Sequence, residues 1–168
     1  MGLFGSKERK PRVVDVGAYH VDGLDYPVDE VVLLWGRLDY LLIRSAVHEK
    51  KYAQYILEFE QIKGIEIVSA SQIIEANKSV IGRAVIGGLL LGGLGATIGA
   101  ISGVGTKQKK IIENYLVINY VSAMEDDMKV MSFKLGEMII AKKFVNEIRF
   151  RAGILDASTS EHPTTVKL

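Results

Sequence analysis

"GRAVIGGLLLGGLGATIGAISGVG", residues 82–105, holds nine glycines in twenty-four residues and one charge, Arg83. Whether this stretch crosses a membrane, folds back or lies open decides how the strands on either side of it relate. An open loop is the poorest reading, because nine large aliphatics between Val85 and Val104 would face water. Small residues recur four apart, in one row through Ala84, Gly88 and Gly92 and in another through Gly95, Gly99 and Gly103. On a helix each row would form a flat groove that lets a second backbone approach closely, which is the main adhesive between helices in lipid.

Ala84–Val104 is long and apolar enough to span a bilayer once, with only Thr97 and Ser102 polar. The flanking sequence argues against a single crossing. "YAQYILEF" and "GIEIVSA" precede the segment, and "YLVINYVS" and "KVMSFKL" follow it. All four read as strands of one sheet, and a single span would put Ile67 and Leu116 on opposite sides of the membrane. The expectation is therefore a helical hairpin inserted over 71–108 and breaking near Gly92–Gly95. Each arm has about ten to twelve residues and reaches roughly 15–18 Å. That is short of the ~30 Å hydrocarbon core, so the hairpin would be re-entrant or would pack in an oligomer. Both flanks are basic, with Lys78 and Arg83 before and Lys107, Lys109 and Lys110 after. Two basic ends suit a segment whose ends both stay on the cytoplasmic side.

Working outward, "VVLLW" and "LDYLLIR" are β-favouring runs split by Gly36-Arg37, and a short strand is expected around Val13–Ala18. In "YLVINY", Tyr115, Val117 and Asn119 face one way, and Leu116, Ile118 and Tyr120 the other. Met131, Phe133 and Leu135 share a face of the next strand, and the polar "AMEDDM" joins the two. Near the C-terminus the period changes. Ile140, Ala141, Phe144, Val145 and Ile148 make an apolar stripe on a helix of about four turns, with Ile140, Phe144 and Ile148 expected as its core anchors and Gly153 as its C-cap. Residues 1–12 form a basic arm, and 153–168 a loose polar tail.

Seven or so short strands closed by one amphipathic helix predict an α+β fold over 13–152. The expected architecture is a pleckstrin-homology-like antiparallel β-barrel or sandwich with the glycine hairpin inserted. The stretches "VDGLDYPVDE", "FEQIKGIEI", the glycine segment, "YLVINY", "MSFKL" and "AKKFVNEI" resemble small bacterial and phage-borne proteins with a PH-like domain carrying a glycine-zipper insertion. That resemblance implies the fold and a tendency to sit near membranes, and it implies no enzymatic activity.

The remaining chemistry is sparse. A formal net charge of +1 gives no whole-protein field for nucleic acid, and the chain has no cysteine. His20, His48 and His162 are scattered without a second ligand at metal spacing. Glu125, Asp126 and Asp127 lack the alternating oxygens of a calcium loop. "GGLLLGGLG" lacks the Gly-Lys-Ser/Thr end of a phosphate loop. The expectation is a non-enzyme with no cofactor, metal, nucleic acid or small-molecule substrate. Its partners would be inner-face membrane lipid and further copies of itself. Three readings stay open: a membrane-dipping hairpin anchoring a cytoplasmic domain, a hairpin at the core of a soluble homo-oligomer, and a pore-forming insertion.

Overall fold

The computed structural model describes residues 14–78, 85–86, 88–102 and 113–154. The strands are β1 (Val14–Asp22), β2 (Val31–Gly36), β3 (Tyr40–Ser45), β4 (Tyr55–Glu58), β5 (Ile62–Ser69), β6 (Val85–Ile86), β7 (Leu89–Leu90), β8 (Asn114–Val121) and β9 (Met128–Leu135). The helices are α1 (Ala70–Lys78), α2 (Leu94–Ser102) and α3 (Met138–Arg151). Seven strands form one antiparallel sheet in the order β4-β3-β2-β1-β9-β8-β5, and β6 and β7 pair separately.

β1 organises the sheet. Its first part, Val14–Tyr19, pairs with β2, and its second part, from Ala18, pairs with β9 through a register shift between His20 and Asp22. It runs to nine residues, longer than the short strand expected, because Gly17 sits on the open face, where a Cβ would meet only Leu33 at 4.0 Å. A glycine that reads as punctuation in sequence is here a position with nothing to pack.

The sheet is curled. Laid flat, six inter-strand spacings would put its outer strands about 29 Å apart. Those outer strands, β4 and β5, are joined only by the 3-10 turn Phe59–Gln61, and the chain from Glu58 to Ile62 reaches roughly 14 Å at most. The concave side holds the main core, with Val16, Leu34, Ile43, Ile65, Leu116 and Phe133 all buried.

α3 packs on β1 and β5 and adds Ala141, Phe144, Val145 and Ile148 to that core. Their i, i+3, i+4, i+7 spacing defines the buried stripe. Ile140, expected on it, is 43% exposed, because it lies about 100° round the helix from Ala141. Glu147 is buried instead, its carboxylate accepting from Arg151 Nε at 3.1 Å. Arg151 also donates to the carbonyl of Arg37. Arg149 Nε donates to the carbonyl of Ile65 at 3.0 Å and its Nη2 pairs with Glu66 at 2.8 Å, which blunts the edge that β5 leaves unpaired among the described residues. Gly153, at φ +67°, ends the helix in a Schellman turn: its N–H reaches the Phe150 carbonyl, and that of Ile154 reaches Arg149 at 2.9 Å.

Candidate functional site

The glycine segment leaves and re-enters the sheet at one point. Ser69, the last residue of β5, lies opposite Asn114, the first of β8, and Ile67 pairs directly with Leu116. The Ala70 amide donates to the carbonyl of Glu113 at 3.0 Å, tying the two ends of the excursion together. Ser69 starts α1 through a capping box: the Gln72 amide donates to Ser69 Oγ at 3.3 Å, and the Ser69 amide to Gln72 Oε1 at 2.8 Å. Glu113 is anchored by Lys134 at 2.7 Å and by the Tyr115 hydroxyl at 2.6 Å. The Lys134 hydrogen bond, with Tyr115 second, holds the Glu113 carboxyl below its ordinary range. Burial, reinforced by Glu113, pushes the Tyr115 hydroxyl up.

Between these ends, the segment lies on the outer face of the sheet. Leu89, Leu91, Leu94 and Ile98 are buried against Val21, Val68, Tyr115 and Val117, with Ala70 and Ile73 of α1 completing a second apolar layer. β8 is consequently buried on both faces from Tyr115 to Asn119. Its alternation, read from sequence as two faces, corresponds to two cores.

Three contacts fix the register of the docked segment. The Asn119 carboxamide accepts from the Leu90 amide at 2.7 Å and donates to the Leu90 carbonyl at 2.8 Å. Asp22 Oδ2 accepts from the Gly93 amide at 2.9 Å. Leu89 seats over Gly64, where a Cβ would lie 2.8 Å from Leu89 Cδ1.

The zipper glycines divide into two kinds. Gly88, at φ +85°, turns between β6 and β7, and Gly92 has φ +56°. Neither is helical, and the described residues of the expected hairpin's first arm form two short strands and a turn. The doublet Gly87-Gly88 marks a turn that the four-residue spacing hides, while the turn at Gly92-Gly93 falls where the hairpin is expected to break. A side chain at Gly93 would displace the Asp22 carboxylate that holds its amide, since a Cβ there would lie 2.5 Å from Asp22 Oδ2. Gly95 and Gly99 fall within α2, four residues apart; Gly95 is buried, and α2 packs against α1. Lys78 is the last residue of α1. Ala84, Gly103, Arg83, Lys107, Lys109 and Lys110 lie outside the described residues. Of the terminal-helix residues, Phe144 and Ile148 are buried and Ile140 is not. Asn119, Asp22 and Gly64 were not among the sequence candidates; a glycine inside a strand pattern was the available sign of close approach at Gly64.

A PH-like sheet with a glycine-rich excursion between two adjacent strands is the arrangement that the family comparison meets. The family model described as "glycine zipper containing PH domain" matches residues 33–135, well over half of the 168-residue chain. The chain belongs to that family. The match begins in β2, takes in the whole glycine segment and ends at the last residue of β9, before α3. Comparison with individual curated proteins gives no match. Among the described residues of this glycine-zipper PH domain, no group of three or more His, Asp or Glu side chains is placed to hold a metal. Among the same residues, no helix is long and apolar enough to cross a membrane.

Proposed function

We propose that this glycine-zipper PH domain is a non-enzymatic module of the cytoplasmic face of a membrane, with the glycine segment as its lipid-contacting element. The supporting observation is the way the segment is stowed. Four large aliphatics, Leu89, Leu91, Leu94 and Ile98, are buried on the chain's own sheet. Burial stabilises each by roughly 1.5–3 kcal/mol relative to water. The segment therefore leaves its platform only for an equally apolar surface. Its polar contacts with the sheet include those at Asn119 and Asp22, both local to the Leu90–Gly93 stretch. Lysines and an arginine flank it on both sides in the sequence, which suits anionic headgroups.

A second reading, self-assembly in solution, is favoured by one observation: α2, with Gly95 buried, already packs against another helix, α1. The same close approach between copies would build an oligomer. Flotation with anionic phosphatidylglycerol vesicles separates the two. The membrane reading expects wild type to float with them and to resist carbonate, and Asn119→Ala, with the segment's clamp removed, to float more. Failure of both proteins to float, with a concentration-dependent oligomer by size exclusion and light scattering, would establish the second reading in its place.

A further inference from the structure

A groove of about 500 Å³ lies between the β2–β3 turn, β4 and the C-terminal end of α3. Its walls are apolar and unusually open: Leu38 and Ile56 are each 64% exposed, and Phe150 is 45% exposed. Its charge is acidic. Asp39, Glu58 and Glu60 line it, and the charge of Arg151 on the same wall is matched by the buried Glu147 carboxylate. Among the described residues, β4 ends the sheet and has a ladder partner, β3, on one side only.

We infer that this groove binds the chain's own basic arm, residues 3–12, as an extended segment. The arm is rooted beside it. Val14 lies opposite Gly36, and a Cβ at Gly36 would be 3.1 Å from both Val14 Cγ2 and Ile148 Cδ1. From Gly36 the rim of the groove at Leu38 is two residues along the chain. Phe4 lies ten steps along the chain from Val14, a reach of roughly 33 Å when extended. The compositions are complementary. The arm offers Leu3 and Phe4 as apolar anchors, then Lys7, Arg9, Lys10 and Arg12 against the single Glu8. A proline at position 11 disfavours the helical region for the residue before it, Lys10. An acidic groove repels anionic headgroups, so the same arm held here is withdrawn from lipid.

The chain has no cysteine, so Ser6→Cys carries a single nitroxide on the full-length protein. In its ¹⁵N spectrum, the amides of Leu38, Ile56 and Glu60 should lose most of their intensity relative to the reduced label, while those of Tyr19 and Glu75 keep theirs. Glu58→Lys/Glu60→Lys should restore the lost signals. So should 1 M salt, which shortens the screening length to about 3 Å and tests the charges without any substitution. Broadening spread evenly over the surface, centred elsewhere, or unmoved by both charge tests overturns the inference. Broadening that appears only in unlabelled ¹⁵N protein mixed with labelled copies assigns the groove to another molecule's arm and overturns it equally.

Discussion

The side chain of Asn119 bonds both backbone polar groups of Leu90, accepting from its N–H at 2.7 Å and donating to its C=O at 2.8 Å. A carboxamide used this way stands in for one residue of a neighbouring strand. It gives Leu90 a ladder-like partner, which among the described residues no strand of the seven-stranded sheet supplies, and the reciprocal donor and acceptor pattern fixes which way the amide points. Buried polar groups need such partners, so Asn119 carries a specificity that the surrounding leucines and valines lack.

Asn119→Ala leaves the amide and carbonyl of Leu90 without that partner. A loss of about 2 kcal/mol in local stability, within the range for unmade hydrogen bonds, is roughly a 30-fold increase in local opening. Hydrogen exchange should accelerate over Leu89–Ile98 while the β2–β3 ladder stays protected. Equal acceleration in both regions would mean that the segment and the sheet unfold as one unit.

Gly64 gives a prediction with a change of sign. Its φ is not in the left-handed region, so alanine is sterically acceptable to the backbone and would ordinarily stabilise by about 0.4–1 kcal/mol. Here the added Cβ lies 2.8 Å from Leu89 Cδ1, and displacing that leucine should cost about 1–3 kcal/mol. Gly64→Ala should lower the melting temperature in wild type and become neutral or stabilising in a Leu89→Ala background. Simple additivity of the two changes would remove Leu89 from Gly64.

Much of this architecture is legible in the sequence, and the failures have local causes. The pairing of Ile67 with Leu116 follows from strands that need one common core on either side of an apolar excursion. The family match over residues 33–135 spans the same excursion. The first arm departs from a helix at Gly88, whose φ of +85° is incompatible with a right-handed helix and is signalled by the Gly87-Gly88 doublet rather than by spacing four apart. The docking platform was invisible for a different reason. Asp22, Gly64 and Asn119 come from three strands, β1, β5 and β8, and only the sheet order brings them under one segment. Ile140 failed by a single helical step, since adjacent isoleucines leave the phase of a stripe to the partners that cover it.

Acid should weaken the fold through Glu30. The Ser45 hydroxyl donates to its carboxylate at 2.5 Å and His48 Nδ1 lies 3.0 Å away, and these bonds, Ser45 first, hold the Glu30 carboxyl below its ordinary value. A depressed folded value means the stabilisation is complete above the unfolded value of about 4.3 and is lost as pH falls through the folded value. Urea unfolding between neutral and acidic pH should show wild type losing more stability below that point than Glu30→Gln. The Glu30 carboxyl shift, followed by NMR, should titrate below about 4.3 and move up in Ser45→Ala. A midpoint at or above that value in wild type would contradict the network.

The last prediction separates two neighbours on α3. Phe144 is 1% exposed and sits in the main core beside Ala141, Val145 and Ile148. Removing its ring leaves a cavity that rigid strands cannot close, at a cost of about 3–5 kcal/mol. Ile140, one turn earlier and 43% exposed, gives up little burial, so its truncation should stay within about 0.5 kcal/mol of wild type. The two alanine variants can be compared by urea midpoint at constant m-value. Equal losses would place Ile140 back on the buried stripe and rotate the helix. A small loss at Phe144 would mean that α3 contributes little to the core and that the sheet holds its curl through the short β4–β5 link alone.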